Sequence, residues 1–171
     1  MAKKPVLLLW RFDRDGTRRI PFLSAMSMLG SKDDETRSYL EIVDALRQHG
    51  AAPKADMEAL WRRLVFNILI SNTDDHLRNH GFFTTVRRAG GSRRRTISTN
   101  EDDNTASLAL AMDVAGYFEL DDGKAREIAA QVGKAVSKWR TEAARHGLTK
   151  SEIDRMASAF EHEDLHLARR G

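Results

Sequence analysis

The apolar positions of the chain fall mainly at helical spacing. Tyr39, Ile42, Val43 and Leu46 share one face of a helix that opens near Asp33 or Asp34, spans about 34–49 and stops at Gly50. After Pro53 a second helix, 55–71, carries Met57, Leu60, Trp61, Leu64, Val65, Ile68 and Leu69, an apolar stripe wide enough for a central core element. A third run, 105–120, has almost no polar face and predicts a helix buried all round. A long fourth helix, 124–146, turns Ile128, Val132, Val136, Trp139 and Ala143 inward and ends at Gly147. Thr149-Lys150-Ser151-Glu152 reads as a capping box for a fifth, 149–162, which buries Ile153, Met156, Ala157 and Phe160.

Strand signals are few. Val6 to Phe12 is apolar enough for a buried strand, Asp15-Gly16 marks a turn, and Arg18 to Phe22 is the returning strand. Ser24 to Lys32 reads as an ordered loop. Phe82 to Val86 and Arg94 to Ser98 flank Gly90-Gly91 as a small hairpin, and 99–104 is polar and acidic. The expected fold is mainly α, a helical bundle with small β-hairpins at one end. It forms one domain over 1–171, with a strand and loop region (1–30), helices with a polar loop and hairpin (31–104), and C-terminal helices (105–171).

Composition narrows the class. A chain of 171 residues with 41% apolar and 31% charged positions is an ordinary globular composition. No apolar run approaches the roughly 20 residues of a membrane span, and the N-terminal run lacks the length and cleavage site of a signal peptide. Without cysteine there is no disulfide scaffold and no thiolate chemistry. A cytoplasmic protein is expected. The net charge of +3 is local in origin: Arg87, Arg88, Arg93, Arg94 and Arg95 cluster around Gly90-Gly91. Such a cluster is either a solvated hairpin tip or a weak contact for nucleic-acid phosphates.

Ser71 to Asn79 is almost wholly polar, yet it follows directly on the most apolar helix, the place where a rigid core element projects a functional loop. Asp74 and Asn79 stand five positions apart. Protein kinases space their catalytic-loop Asp and Asn so that one short loop presents a proton acceptor and a magnesium ligand to one phosphoryl transfer. Taken alone the pair is a weak signal; Asp74 and Asp75 could merely cap turns, with His76 bonded to backbone. A metal site on His76 and His80 lacks a helical context and an intervening Glu, and His162 and His166 read as a solvated helix face.

The whole stretch from Phe66 to Phe82, with its T-D-x-H-x-[KR]-N core at Thr73–Asn79, resembles the catalytic segment of HipA-family kinases. Arg11-Phe12-Asp13-Arg14 is similar to the motif after that family's interlobe hinge, and the likeness continues through Ile20–Ala25 and the C-terminal helices. The resemblance implies the helical lower lobe of a serine/threonine kinase using ATP and Mg²⁺, the toxin of a toxin–antitoxin pair with a small DNA-binding, HipB-like antitoxin as partner. It makes Asp74 the catalytic base and Asn79 a magnesium ligand, has His76 brace the loop, puts Arg78 near the phosphates, and sets Leu9, Trp10, Arg11 and Phe12 beside adenine. It also implies that Asp74 and Asn79 share a cleft near Leu9–Phe12. Two family features are not found in the sequence: an upper lobe with its strand lysine, and the second magnesium-binding Asp. Asp113 and the cluster Glu101, Asp102 and Asp103 are weak substitutes. The chain alone is therefore expected to be inactive or very weak, and a non-catalytic partner-binding module is the alternative.

Overall fold

The computed structural model describes residues 8–32, 35, 37–83 and 107–170. The fold is mainly helical with two small antiparallel strand pairs, as the periodicity predicts. The chain divides into two compact units: Met1–Glu35 with His76–Thr96, and Thr36–Asp75 with Ile97–Gly171. The division falls between Asp75 and His76, inside the polar loop.

The first unit holds the strands among the described residues. β1 (Arg14–Asp15) pairs with β2 (Arg18–Arg19), and Gly16 takes the left-handed φ of 57° that their turn requires. The strand expected over Val6–Phe12 is not found at residues 8–12; what precedes it lies outside the described residues. The returning strand is broken in two, because Pro21 has no N–H for a ladder and separates β2 from β3 (Phe22–Ser24). β3 pairs with β4 (Gly81–Phe83) in the register Phe22↔Phe83, Leu23↔Phe82 and Ser24↔Gly81. A Cβ at Gly81 would overlap the Phe22 ring and stand 3.3 Å from the Leu23 carbonyl oxygen, so a larger residue there would have to displace that ring. The expected loop at 24–32 is instead helical at its start: α1 (Ala25–Leu29) is capped by Ser24 Oγ, which accepts from Ser27 N–H at 3.1 Å, and ends at left-handed Gly30. The hairpin expected around Gly90-Gly91, its five arginines and the acidic residues 101–103 lie outside the described residues.

The second unit is built around α3 (Pro53–Leu69), which packs on α2 (Tyr39–His49), α4 (Leu108–Asp113), α5 (Asp122–Val136) and α8 (Glu163–Ala168). Of its expected stripe only Leu64 is not fully buried. Trp61, wholly buried, meets Phe118 edge-to-face at 5.4 Å. Gly133 of α5 lets α8 approach closely, since a Cβ there would stand 3.0 Å from the Ala168 Cβ. No helix among the described residues is long and apolar enough to cross a membrane.

Several boundaries differ from the periodic reading. α2 starts at Tyr39, not near residue 34; Glu41 reaches back to the Ser38 N–H at 3.4 Å and anchors the first turn there. The third helix is not continuous. After α4 the chain tightens into a 3₁₀ turn, Ala115–Phe118, which eclipses Ala115 and Phe118 and buries both; Leu110 remains half exposed. The fourth is two helices, α5 and α6 (Trp139–Arg145). The Ser137 hydroxyl donates to the Lys134 carbonyl at 2.9 Å and competes with the helical ladder at the break. α7 (Lys150–Phe160) has the expected capping box: Glu152 Oε2 accepts from Thr149 N–H at 2.8 Å, and Thr149 Oγ1 from Glu152 N–H at 3.4 Å. Only Ile153 of its four expected core residues is fully buried. Phe160 stacks on Trp139 at 4.5 Å while Arg140 spans Asp154 and Glu161, so α6 and α7 form a satellite cluster. His162 is not simply solvated: its Nε2 lies 3.2 Å from the Leu69 carbonyl at the end of α3, whereas His166 is exposed.

Candidate functional site

The polar loop begins where α3 ends. Ser71 N–H donates to the Ile68 carbonyl (3.0 Å) and Asn72 N–H to the Asn67 carbonyl (2.8 Å), the paired bonds of a Schellman motif. Ser71 occupies its left-handed position with φ 51°, which is normally a glycine site. Ser71→Gly should therefore stabilise the chain by about 0.5 kcal/mol, the relief of left-handed strain slightly outweighing the added unfolded-state entropy. A urea midpoint that falls on this substitution would contradict it.

Beyond Ser71 the loop is tied to the helices through Asp75. Its carboxylate, only 4% exposed, accepts from the Tyr39 hydroxyl of α2, from Asn67 Nδ2 at 2.6 Å and from Arg63 Nη2 at 3.2 Å. Asn67, 7% exposed, also donates to the Tyr39 oxygen at 2.9 Å and accepts from Asn72 Nδ2 at 3.1 Å. Asn72 Oδ1 in turn accepts from Asp74 N–H at 3.2 Å. Asp74 itself is exposed to solvent. The loop is thus held from beneath on both sides of Asp74, with that residue displayed outward.

Burial, and then the Asp75 carboxylate that accepts its proton, push the Tyr39 phenol above its ordinary value of 10.0. Because the folded-state value is raised, the stability contributed by the neutral phenol is complete below about pH 10 and is lost as pH rises through the folded-state value. Alkaline destabilisation above about pH 10 should accordingly be shallower in Tyr39→Phe than in the parent, read from urea midpoints across that range.

In the other unit, His76 and His80 flank a 3₁₀ turn, Leu77–Asn79, closed by Asn79 N–H donating to the His76 carbonyl at 2.8 Å. The turn packs on α1. His76, Arg78 and Asn79 are exposed, while His80 is buried and its carbonyl accepts from Ala25 N–H at 2.9 Å. The turn is thereby joined through β4 to β3. Leu9, Trp10 and Phe12 are exposed, Trp10 fully, and Phe12 leans edge-on against Phe22 at 4.9 Å. Arg11 grips Asp13 with two bonds of 2.8 and 2.6 Å, which hold the Asp13 carboxyl below its ordinary range. Asp113 is the last residue of α4 and exposed. Among the described residues no group of three or more His, Asp and Glu side chains converges as a metal-binding cluster.

Asp74 and its supports therefore belong to the helical unit, and His76, Arg78, Asn79 and Leu9–Phe12 to the stranded one. The residues that the sequence reading passed over are Asn67, Tyr39 and Arg63 as partners of Asp75. Asn67 carried a usable signal: it is a polar residue at helical spacing from Leu60 and Leu64, and a buried amide there demands partners.

Comparison with protein families matches residues 1–163 to the HipA-like C-terminal domain. No curated protein matches the chain. With 163 of its 171 residues matched, and with the loop of the family resemblance mounted on its central helix, the chain belongs to the HipA-like C-terminal domain family.

Proposed function

We propose that this chain supplies the catalytic-loop lobe of an ATP- and Mg²⁺-dependent protein serine/threonine kinase of a toxin–antitoxin pair. The observation that carries the reading is the loop 71–79: an exposed Asp74 on a loop anchored to the central helix, five positions before an exposed Asn79. Asp74 would orient the attacking hydroxyl and take its proton. Asn79 offers an amide oxygen, a donor that Mg²⁺ accepts when phosphates and water complete its octahedron. Arg78 would neutralise phosphate charge, His76 would brace the turn, and the Leu9–Phe12 segment would lie beside adenine. Mg²⁺ supplies charge neutralisation on the phosphates. The protein's own share is to hold the base and the hydroxyl in line.

Neither a strand lysine nor a second metal Asp at the family's spacing is identified in these 171 residues. Each absent charge-stabilising group typically costs about 10²–10³ in rate, so turnover by this polypeptide alone should lie near background. The test has two readouts on the purified chain: transfer of labelled phosphate, and Mg²⁺·ATP-dependent perturbation of the amide resonances of Asp74–Asn79. The expected result is background transfer with a loop perturbation that requires Mg²⁺ and disappears in Asn79→Ala. A loop indifferent to millimolar Mg²⁺·ATP would overturn the reading. Transfer that vanishes in Asp74→Ala would establish the chemistry and direct the search for a second ligand to Asp113 or residues 101–103.

One observation favours a second reading, a partner-binding module. Phe12, Phe22 and Phe83 contact one another at ring distances of 4.9–6.2 Å yet remain exposed, and Trp10, two positions before Phe12 in the chain, is fully exposed. An apolar cluster of this kind suits a protein surface such as that of a HipB-like antitoxin. Any contact of the Arg87–Arg95 cluster with nucleic acid would show itself by steep weakening with salt.

A further inference from the structure

Every hydrogen-bonding group of the Asn67 side chain is used, and used on the loop and its anchor. Its two amide hydrogens go to Asp75 and to the Tyr39 oxygen, and its amide oxygen takes a hydrogen from Asn72. The helix end does not need this. The Schellman bonds at Ser71 and Asn72 are made by backbone alone, and a leucine at 67 would continue the apolar stripe. The amide instead reaches the chain on both sides of Asp74: Asp75, which follows it, and Asn72, two residues before it, whose own oxygen holds the Asp74 N–H.

We infer that Asn67 is a positioning residue for the phosphotransfer base: by gripping the residues on either side of Asp74 it fixes the backbone from which that carboxylate projects. The inference rests on the phosphotransfer reading for the purpose of the grip, but not for its existence. An aspartate at 67 would lack both donors and face the Asp75 carboxylate; a leucine would leave Asp75, Tyr39 and Asn72 without this partner. Only a side chain with donors on one edge and an acceptor on the other joins the three.

The experiment uses the intact 171-residue chain and two variants. Asn67→Ala removes the whole grip. Asn72→Ala is on an exposed residue; it removes the bond to Asp74 N–H and the one to Asn67 Oδ1, and leaves the Asn67 bonds to Asp75 and Tyr39 in place. Amide hydrogen exchange and the backbone three-bond coupling at Asp74 are measured by NMR. In both variants exchange at Asp74 should rise by about tenfold or more, with the coupling moving toward an averaged value. In Asn72→Ala the amides of Trp61, Val65 and Ile128 should keep parental protection, which a loss of global stability would not allow. Unchanged exchange and coupling at Asp74 in both variants overturn the grip, whatever the nucleotide does. Loosening of Asp74 in a chain whose loop ignores Mg²⁺·ATP would leave the grip standing and remove the phosphotransfer purpose assigned to it.

Discussion

Trp61→Ala is expected to cost about 3–5 kcal/mol, the largest stability loss of any single substitution considered. The indole is wholly buried at the middle of α3, and its edge-to-face partner Phe118 is itself 1% exposed. Truncation removes the transfer energy of the ring and leaves a cavity that α3 and the 3₁₀ turn cannot both close on, because each is held by other contacts: α3 by α5 and α2, and the turn by Tyr117, whose hydroxyl donates to Asp44 at 2.6 Å. Domains of this size have total stabilities of roughly 5–15 kcal/mol, so a midpoint drop of roughly 10 °C follows, and a marginal parent would not fold. Trp61→Phe separates volume from chemistry. The Trp61 Nε1–H is buried with no hydrogen-bond partner among the described residues, so phenylalanine loses part of the packing without losing a bond. Its cost should be well under half that of alanine. Equal costs for the two variants, by chemical denaturation, would show that the packing argument is misplaced.

The helical unit was legible because its apolar stripes repeat at the helical period over many residues, and burial follows such stripes whatever the exact ends. Met57, Trp61 and Leu69, read as core from spacing, are indeed fully buried. What spacing could not supply was the local competition that sets boundaries. Ser137 looks unremarkable in an apolar-periodic run, yet its hydroxyl takes a carbonyl from the ladder and splits the expected fourth helix. Ala115 and Phe118 satisfy a helical stripe equally well as a 3₁₀ pair, which periodicity cannot distinguish over four residues. Short strands such as Phe22–Ser24 depend on a partner about sixty positions away, Gly81–Phe83, and carry too few residues for alternation to register. At the loop, Asp74 and Asn79 stood out in the sequence through a spaced motif. Their supports did not: Tyr39 was counted as one more apolar position of α2, although its hydroxyl is bound to Asp75, 36 positions on.

That long-range contact is the basis of the second large effect. Asp75→Ala is expected to destabilise the helical unit by about 2–4 kcal/mol, more than is usual for a loop residue. The reason lies in what remains behind. Hydrogen bonds to a charged group contribute about 1.5–3 kcal/mol, and removal of the carboxylate takes the acceptor from the Tyr39 hydroxyl and from one Asn67 hydrogen together. Arg63 loses little, because its guanidinium is half exposed and water replaces the carboxylate there. The loss should therefore depend on Tyr39 and hardly at all on Arg63. A double-mutant cycle with Tyr39→Phe should show coupling of about 1–2 kcal/mol, whereas a cycle with Arg63→Ala should show less than about 0.5 kcal/mol. Asp75→Asn, which keeps the shape and one acceptor oxygen, should recover part of the loss. If the Arg63 cycle proved the stronger of the two, the loop would be anchored by a surface ion pair, not by the buried hydroxyl and amide, and its attachment would weaken with salt.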